Sequence, residues 1–181
     1  MSIIQLITET SALRMVKKIF IIVSLGLICS LGYMSVQKKI VPALTMLTTS
    51  GETISTTELL GNVYLINFWA TDCPGCIEEM PGLVKTFNKY NAKNFTVIAV
   101  AMYYDPPSRV LSFTEKNKLP FPVVLDIDKQ IINNFENIKL TPTTLVVNHR
   151  GEIVNTIIGI LNFTEIYDAI DKLLQDSKVQ P

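Results

Sequence analysis

The chain begins with an apolar segment and then alternates between strand-like and helix-like patterns. From about Pro42 onward, short apolar runs are followed by stretches in which apolar side chains recur at helical spacing. Two runs, 63–70 and 95–102, are almost continuously apolar and rich in β-branched residues, which is typical of strands covered on both faces. Further short strands are predicted at 44–48, 53–55, 123–125, 143–148 and 152–158, the last two joined by a hairpin turn.

Helices are predicted between and after these strands. The first covers 73–90 and contains Pro81, which should kink it. Two shorter helices follow at 108–117, opened by a Ser108 cap, and at 128–135. The last, 163–174, carries a regular apolar stripe. This order of elements predicts one α/β domain with a central mixed sheet and helices on both faces.

The N-terminal segment is predicted to address the chain to a membrane. Three basic residues between positions 14 and 18 precede an uncharged stretch, 19–36, which is about the minimum length of a membrane-spanning helix. Its most apolar part, 19–31, has the length of a signal-peptide core. A cleaved signal and a retained anchor both stay open, and the lack of a small-residue cleavage site favours the anchor. Met1 and Met15 both stay open as the start of the chain.

We therefore predict two regions, a signal or anchor segment at 1–39 and a folded domain at 40–181. The domain is expected outside the cytoplasm, held at the membrane or secreted. With 48% hydrophobic and 18% charged residues, it can form a packed core. The 16 basic and 16 acidic residues balance, which argues against a nucleic-acid partner, because such binding needs excess positive charge.

Three cysteines carry the candidate chemistry. Cys73 and Cys76 are separated by two residues, whereas Cys29 lies alone in the apolar segment, so the set indicates one working pair and a bystander. Cys73 falls at the predicted helix N-terminus, where free N–H groups favour a thiolate, and Cys76 lies one turn further on. The spacing predicts thiol–disulfide exchange. We expect no bound cofactor or metal, because the Cys73–Cys76 disulfide carries the electrons itself, and His149 leaves a zinc site short of ligands.

The run from Asn67 to Cys76 resembles the active-site strand and loop of the thioredoxin superfamily. Its continuation to Pro81, together with 119–126 and 141–145, is similar to the membrane-anchored TlpA/ResA branch. The resemblance covers about residues 42–175 and implies a thioredoxin-like fold. It also implies a disulfide reductase that acts on a cysteine-containing protein such as an apocytochrome c, and we expect the protein to be a monomer. A membrane electron donor would then restore the dithiol.

The resemblance assigns four further residues to the site. Pro142 matches the family's cis-proline, and the backbone of Thr141 before it would pair with a substrate strand. Glu79 matches the buried acid that exchanges a proton with Cys76, and helical spacing independently places both on one face. Trp69 would pack beside the disulfide and form part of the docking surface, although the residues leave a plain core tryptophan open as the alternative.

Some features depart from the family or favour other functions. Asn67 stands where ordinary thioredoxins keep an aspartate, and Asp72 places a charge that opposes a thiolate at Cys73. The direction of electron flow is therefore open, and a disulfide oxidase or isomerase is the main alternative. A peroxiredoxin would need a proline in place of Ile66, and a Sco-type copper chaperone would need one more residue between the cysteines.

Overall fold

The computed structural model describes residues 16–24, 26, 38–135 and 138–179. The chain divides after Lys38 into two units. In the first unit, residues 16–24 are helical, and several of their apolar side chains are exposed. Within the described ranges, no helix combines the length and apolar character needed to cross a membrane. Cys29 and most of the predicted membrane segment lie outside the described residues, and the predicted domain bounds stay predictions.

Seven strands occur in the described part of the second unit. A small antiparallel hairpin is formed by β1 (Thr45–Leu47) and β2 (Thr53–Ser55). The main sheet has the order β5-β4-β3-β6-β7, with the strands β3 (Val63–Trp69), β4 (Phe95–Ala101), β5 (Val123–Leu125), β6 (Thr143–Val147) and β7 (Ile153–Ile158). β4 pairs in parallel with both β3 and β5, while β6 pairs antiparallel with both β3 and β7. The predicted mixed sheet is therefore confirmed.

Three helices pack on one face of this sheet. They are α1 (Pro74–Tyr90), α2 (Pro107–Asn117) and α3 (Phe163–Val179), and all contribute to one apolar cluster with Leu65 and Trp69. The chain steps from β3 through α1 to β4, and through α2 to β5, always in the same direction across the sheet. Since such crossovers share a right-handed sense, α1 and α2 must fall on the same side.

The prediction of helices on both faces is therefore corrected. Phe68 and its neighbours on the other face pack against the β1–β2 hairpin and against Ile131 and Phe135. The helix predicted at 128–135 is a single 3₁₀ turn, Ile132–Asn134. Its start is held by the Asp126 carboxylate, which accepts hydrogen bonds from the N–H groups of Ile131 and Ile132.

Two helix details differ from the sequence prediction or were not part of it: the start of α2 and the contact between α1 and α3. The predicted Ser108 cap is wrong, because α2 begins at Pro107, whose fixed φ suits the first helical position. α3 lies close to α1 at Gly82, where an added Cβ would overlap the ring of Phe163. Gly82 thus permits the approach of the two helices that flank the site.

Candidate active site

The cysteine pair lies at the start of α1, as the spacing predicts. Cys73 is the N-cap residue, and Pro74 follows at the first helical position. The two cysteines form a disulfide, and the N–H of Cys76 donates to the Cys73 Sγ at 3.2 Å. Cys73 is partly exposed, whereas Cys76 is fully buried. Only the first sulfur can therefore be approached from outside, while the second faces the core.

The loop that leads to Cys73 is fastened by a contact that the sequence does not predict. The buried Asp105 carboxylate accepts hydrogen bonds from the Thr71 N–H and hydroxyl, both at 2.6 Å. Asp105 belongs to the segment between β4 and α2, 34 residues further along the chain. The contact holds the residue two positions before Cys73, and no local pattern signals it.

The Thr141–Pro142 peptide bond is cis, as the resemblance implies. Pro142 lies beside the cysteine turn, because a Cβ at Gly75 would stand 3.6 Å from the Pro142 Cδ and 3.2 Å from the Ile160 Cγ1. The Tyr104 hydroxyl lies 3.4 Å from the Thr141 hydroxyl. Exposed side chains thus lie beside this surface, with Tyr104 next to Thr141 and Ile160 next to Gly75 of the cysteine turn.

Trp69 does not lie on this surface, so its predicted docking role is corrected. Its side chain is fully buried in the helix-covered cluster, and its ring centroid lies 5.2 Å from that of Phe113 on α2. Alternation along β3 turns Trp69 toward the helices, where α2 covers it. A tryptophan beside a reactive motif in the sequence can therefore still be a core residue.

Glu79 is buried, with 1% of its surface exposed, whereas Glu78 beside it is exposed. The Glu79 Oε1 accepts a hydrogen bond from Asn67 Nδ2 at 2.7 Å, and Oε2 accepts one from the Leu161 N–H at 3.2 Å. Burial raises the pKa of Glu79 above its ordinary value, and these two hydrogen bonds oppose the rise. A carboxyl group with a raised pKa, one turn from Cys76, is suited to receive a proton.

Asn67 connects Glu79 to a second strand. Its Nδ2 also donates to the Thr144 Oγ1 at 3.0 Å, and the two residues are register partners between β3 and β6. All three side chains are buried, and the Asn67 Oδ1 has no hydrogen-bond partner. The sequence analysis missed Thr144 and gave Asn67 no role. The available signal was a single amide within an otherwise apolar strand.

His149 lies away from these residues. It sits in the turn that joins β6 to β7, beyond the end of β6 that is opposite Pro142. The five residues of β6 span about 16 Å. The structure therefore groups Cys73, Cys76, Glu79 and Pro142 and leaves His149 apart.

The fold and the site together define a thioredoxin-like protein. The chain superposes on the solution structure of a Neisseria meningitidis protein provisionally assigned as a thioredoxin, with a TM-score of 0.73 and 38% identity, covering 80% of this chain and 95% of that one. The Redoxin family profile matches residues 35–170. The chain belongs to the Redoxin family, in the TlpA/ResA-like branch of the thioredoxin superfamily.

Two relatives illustrate this membership. The thiol-disulfide oxidoreductase ResA of Halalkalibacterium halodurans is 37% identical over 109 residues, which is 60% of this chain and 61% of the relative. The thioredoxin-like protein YneN of Bacillus subtilis is 33% identical over 132 residues, or 72% of this chain and 76% of the relative. The match to ResA thus spans less than two thirds of that relative's length.

Proposed function

We propose that this protein is a thiol-disulfide oxidoreductase that reduces disulfides of protein partners outside the cytoplasm. One observation carries the proposal: a cysteine pair at a helix N-terminus has one accessible sulfur, one buried sulfur and a buried carboxyl group one turn further on. The names of the ResA relatives support the same activity.

The exchange runs in two steps. In the reduced protein, the Cys73 thiolate attacks one sulfur of the partner's disulfide, forms a mixed disulfide and releases the partner's other sulfur as a thiolate. The Cys76 sulfur then attacks Cys73, which re-forms the Cys73–Cys76 disulfide and releases the second partner thiolate. Two electrons pass from this protein to the partner. A membrane electron donor returns them and restores the dithiol.

Glu79 accepts the proton that Cys76 releases in the second step and later returns it. Cys76 must lose its thiol proton before it attacks Cys73, and its burial excludes bulk water as the acceptor. The Glu79 carboxylate takes this proton and gives it back when the dithiol is restored. Desolvation weakens Glu79 as an acid and so improves it as a proton acceptor near neutral pH.

The surface around Cys73 would receive the partner as an extended segment. Thr141, beside the cis-proline, offers its backbone to a partner strand, while Gly75 keeps the cysteine turn close to Pro142. Tyr104 and Ile160 add exposed apolar contacts at the edges. A cysteine flanked by apolar residues would suit this surface, and the partner would be a cysteine-containing protein such as an apocytochrome c. The N-terminal segment would keep the domain at the outer side of the membrane, and the domain would act as a monomer.

Trapping of the mixed disulfide tests the activity. The Cys76→Ser variant should accumulate a covalent adduct with a disulfide-containing protein substrate, seen as an added mass that dithiothreitol removes. Cys73→Ser should form no adduct and should lose exchange to the background rate, because the attacking sulfur is gone. Cys29→Ser is the matched control and should retain wild-type exchange. Equal activity of Cys73→Ser and the wild type would refute the proposal.

The reduction potential tests the direction. The full chain would be equilibrated with dithiothreitol or glutathione buffers, and the free thiols would be counted by mass after alkylation. A value near about −270 mV, as in thioredoxin, supports a reductase. A value near about −120 mV would show that the same two cysteines serve as an oxidant, which is the alternative function.

A further inference from the structure

The buried amide of Asn67 is arranged in a way that the exchange reaction does not by itself require. Both hydrogens of its Nδ2 are used, one toward Glu79 at 2.7 Å and one toward Thr144 at 3.0 Å. Its Oδ1 has no hydrogen-bond partner among the residues that the structure describes, although the side chain is fully buried. A buried polar atom without a partner destabilises the folded state, so the arrangement needs a reason.

We propose that Asn67 is a positioning residue whose side-chain amide rotates by a half-turn whenever Glu79 gains or loses a proton. In the orientation described, the amide donates to the carboxylate. After the rotation, Oδ1 faces Glu79 and accepts the hydrogen of its protonated form. The inference rests on the proposed proton exchange between Cys76 and Glu79 and adds the residue that adapts to it.

The ionised state matches the contacts of the structure. Each oxygen of Glu79 accepts a hydrogen bond, one from Asn67 and one from the Leu161 N–H. A carboxylate offers only acceptors, and both neighbours are donors. These two hydrogen bonds allow Glu79 to stay negatively charged, although it is buried and forms no ion pair with another described residue.

The protonated state needs a different neighbour. When Glu79 takes the proton released by Cys76, its new O–H becomes a donor and requires an acceptor. The Asn67 Oδ1 is a buried acceptor on the side chain that already contacts Glu79, and it has no other partner to lose. Because the oxygen and nitrogen of an amide are nearly equal in size, a half-turn about the last side-chain bond brings Oδ1 to Glu79 without repacking the core. Nδ2 then takes the place that Oδ1 leaves, so the amide atom without a partner is Oδ1 beside the carboxylate and Nδ2 beside the carboxylic acid.

The Thr144 hydroxyl can hydrogen-bond to the Asn67 amide in both orientations. In the described orientation its hydroxyl accepts from Asn67 Nδ2. After the half-turn, the same hydroxyl can donate to Oδ1, because a hydroxyl group serves as donor or acceptor. The register of β3 against β6 keeps Asn67 and Thr144 opposite each other in both states. An apolar residue at position 144 would leave the amide with no second contact in either orientation.

No other ionisable group of the surrounding elements explains such a response. β6 and the segment 159–162 contain no ionisable side chain. On β3, Tyr64 points to the opposite face of the sheet, and burial raises its pKa to about 12. On α1, Glu78, Lys85 and Lys89 are exposed, Tyr90 lies at the far end of the helix, and Cys76 is held in the disulfide of the oxidised protein. In the oxidised state, Glu79 is therefore the group whose titration the amide can sense.

Nuclear magnetic resonance on the oxidised full chain, in mild detergent, tests the inference without any exchange assay. The Glu79 carboxyl carbon and the Asn67 side-chain amide would be followed between about pH 4 and pH 9. We expect the Asn67 amide shifts to change with the same midpoint as Glu79. The contact between the Asn67 amide hydrogens and the Thr144 methyl group should weaken on the acidic side. An Asn67–Thr144 contact that stays constant while Glu79 titrates would overturn the proposal.

Two variants complete the test. In Glu79→Gln, the Asn67 amide should no longer respond to pH, and an unchanged response would count against the inference. In Asn67→Leu, Glu79 loses a donor, so its midpoint should shift upward, and the pH profile of Cys76 attack should shift with it. If this variant does not fold, the comparison of the wild type with Glu79→Gln still decides. Failure of partner trapping would refute the proposed thiol–disulfide exchange activity. The resonance measurements would still show whether the Asn67 amide rotates with the titration of Glu79.

Discussion

The two faces of the central sheet are built from the same strands but bury different kinds of side chain. Toward the β1–β2 hairpin, β3 presents Tyr64, Ile66 and Phe68 in an aromatic and aliphatic cluster. Toward the helices, the same strand interrupts its apolar series with Asn67, which contacts Glu79. A buried carboxyl group costs stability, which its hydrogen bonds only partly offset. The hairpin face therefore mainly stabilises the fold. The helix face includes a buried carboxyl group that lowers stability and serves the exchange reaction.

The hairpin face should show the largest effect on stability. Phe68→Ala removes a fully buried ring that packs on Phe135, with ring centroids 5.5 Å apart, and should lower the free energy of unfolding by about 3–5 kcal/mol. The reduction potential should stay unchanged, because no contact with the cysteines is lost. Urea denaturation and a thiol–disulfide titration measure the two quantities. A large change in potential would show that the two faces are not separable.

The helix face should respond to overpacking at Gly82. In Gly82→Ala the new Cβ overlaps the ring of Phe163, so α3 must shift away from α1 at a cost of about 1–3 kcal/mol. Thermal denaturation measures this loss. Gly26→Ala is a control, because a Cβ at Gly26 meets no atom within 4 Å. Equal stability of Gly82→Ala and the wild type would mean that the helices separate without cost.

The smallest effect is the pH dependence that Glu79 imposes on stability. Burial raises its pKa above 4.5, so just above that pH the folded chain keeps a proton that the unfolded chain has lost. This contribution to stability is complete below pH 4.5 and is lost as pH rises through the raised pKa. For one proton the slope is at most about 1.4 kcal/mol per pH unit.

Urea denaturation between about pH 4 and pH 8 measures that slope. Glu79→Gln cannot titrate at this position, so the wild type should lose stability relative to this variant as pH rises. The difference between the two curves removes the contribution of exposed carboxyl groups. Parallel curves would mean that Glu79 titrates alike in the folded and unfolded chains.

Local patterns were enough to predict most of the elements. The continuous apolar runs identified β3 and β4, because strands covered on both faces admit few polar residues. Helical spacing correctly placed Glu79 on the same buried helix face as Cys76. The cysteine spacing placed Cys73 at the start of α1, since a strand followed by an amphipathic helix leaves its turn between them. Each of these predictions depends on residues close together in the chain.

Most of the errors and omissions arise where distant segments meet, whereas those at Ser108 and at 128–135 are local. Whether Trp69 is exposed depends on where α2 packs, and the apolar period of α2 does not say which face of the sheet it covers. The segment predicted as a helix at 128–135 forms only a single 3₁₀ turn, and the Asp126 carboxylate accepts a hydrogen bond from the N–H at its start. Asp105 and Thr71 meet across 34 residues without any shared pattern.

By itself, the sequence determined the order of strands and helices and the position of the reactive pair, because hydrophobic period and helix-terminal chemistry act over a few residues. Only the tertiary structure decided that Asn67, Glu79 and Thr144 share one buried cluster. Asn67 and Thr144 are 77 residues apart, and they meet because β6 pairs with β3 in one particular register. A register is chosen by the packing of both sheet faces at once, and no single segment contains that information.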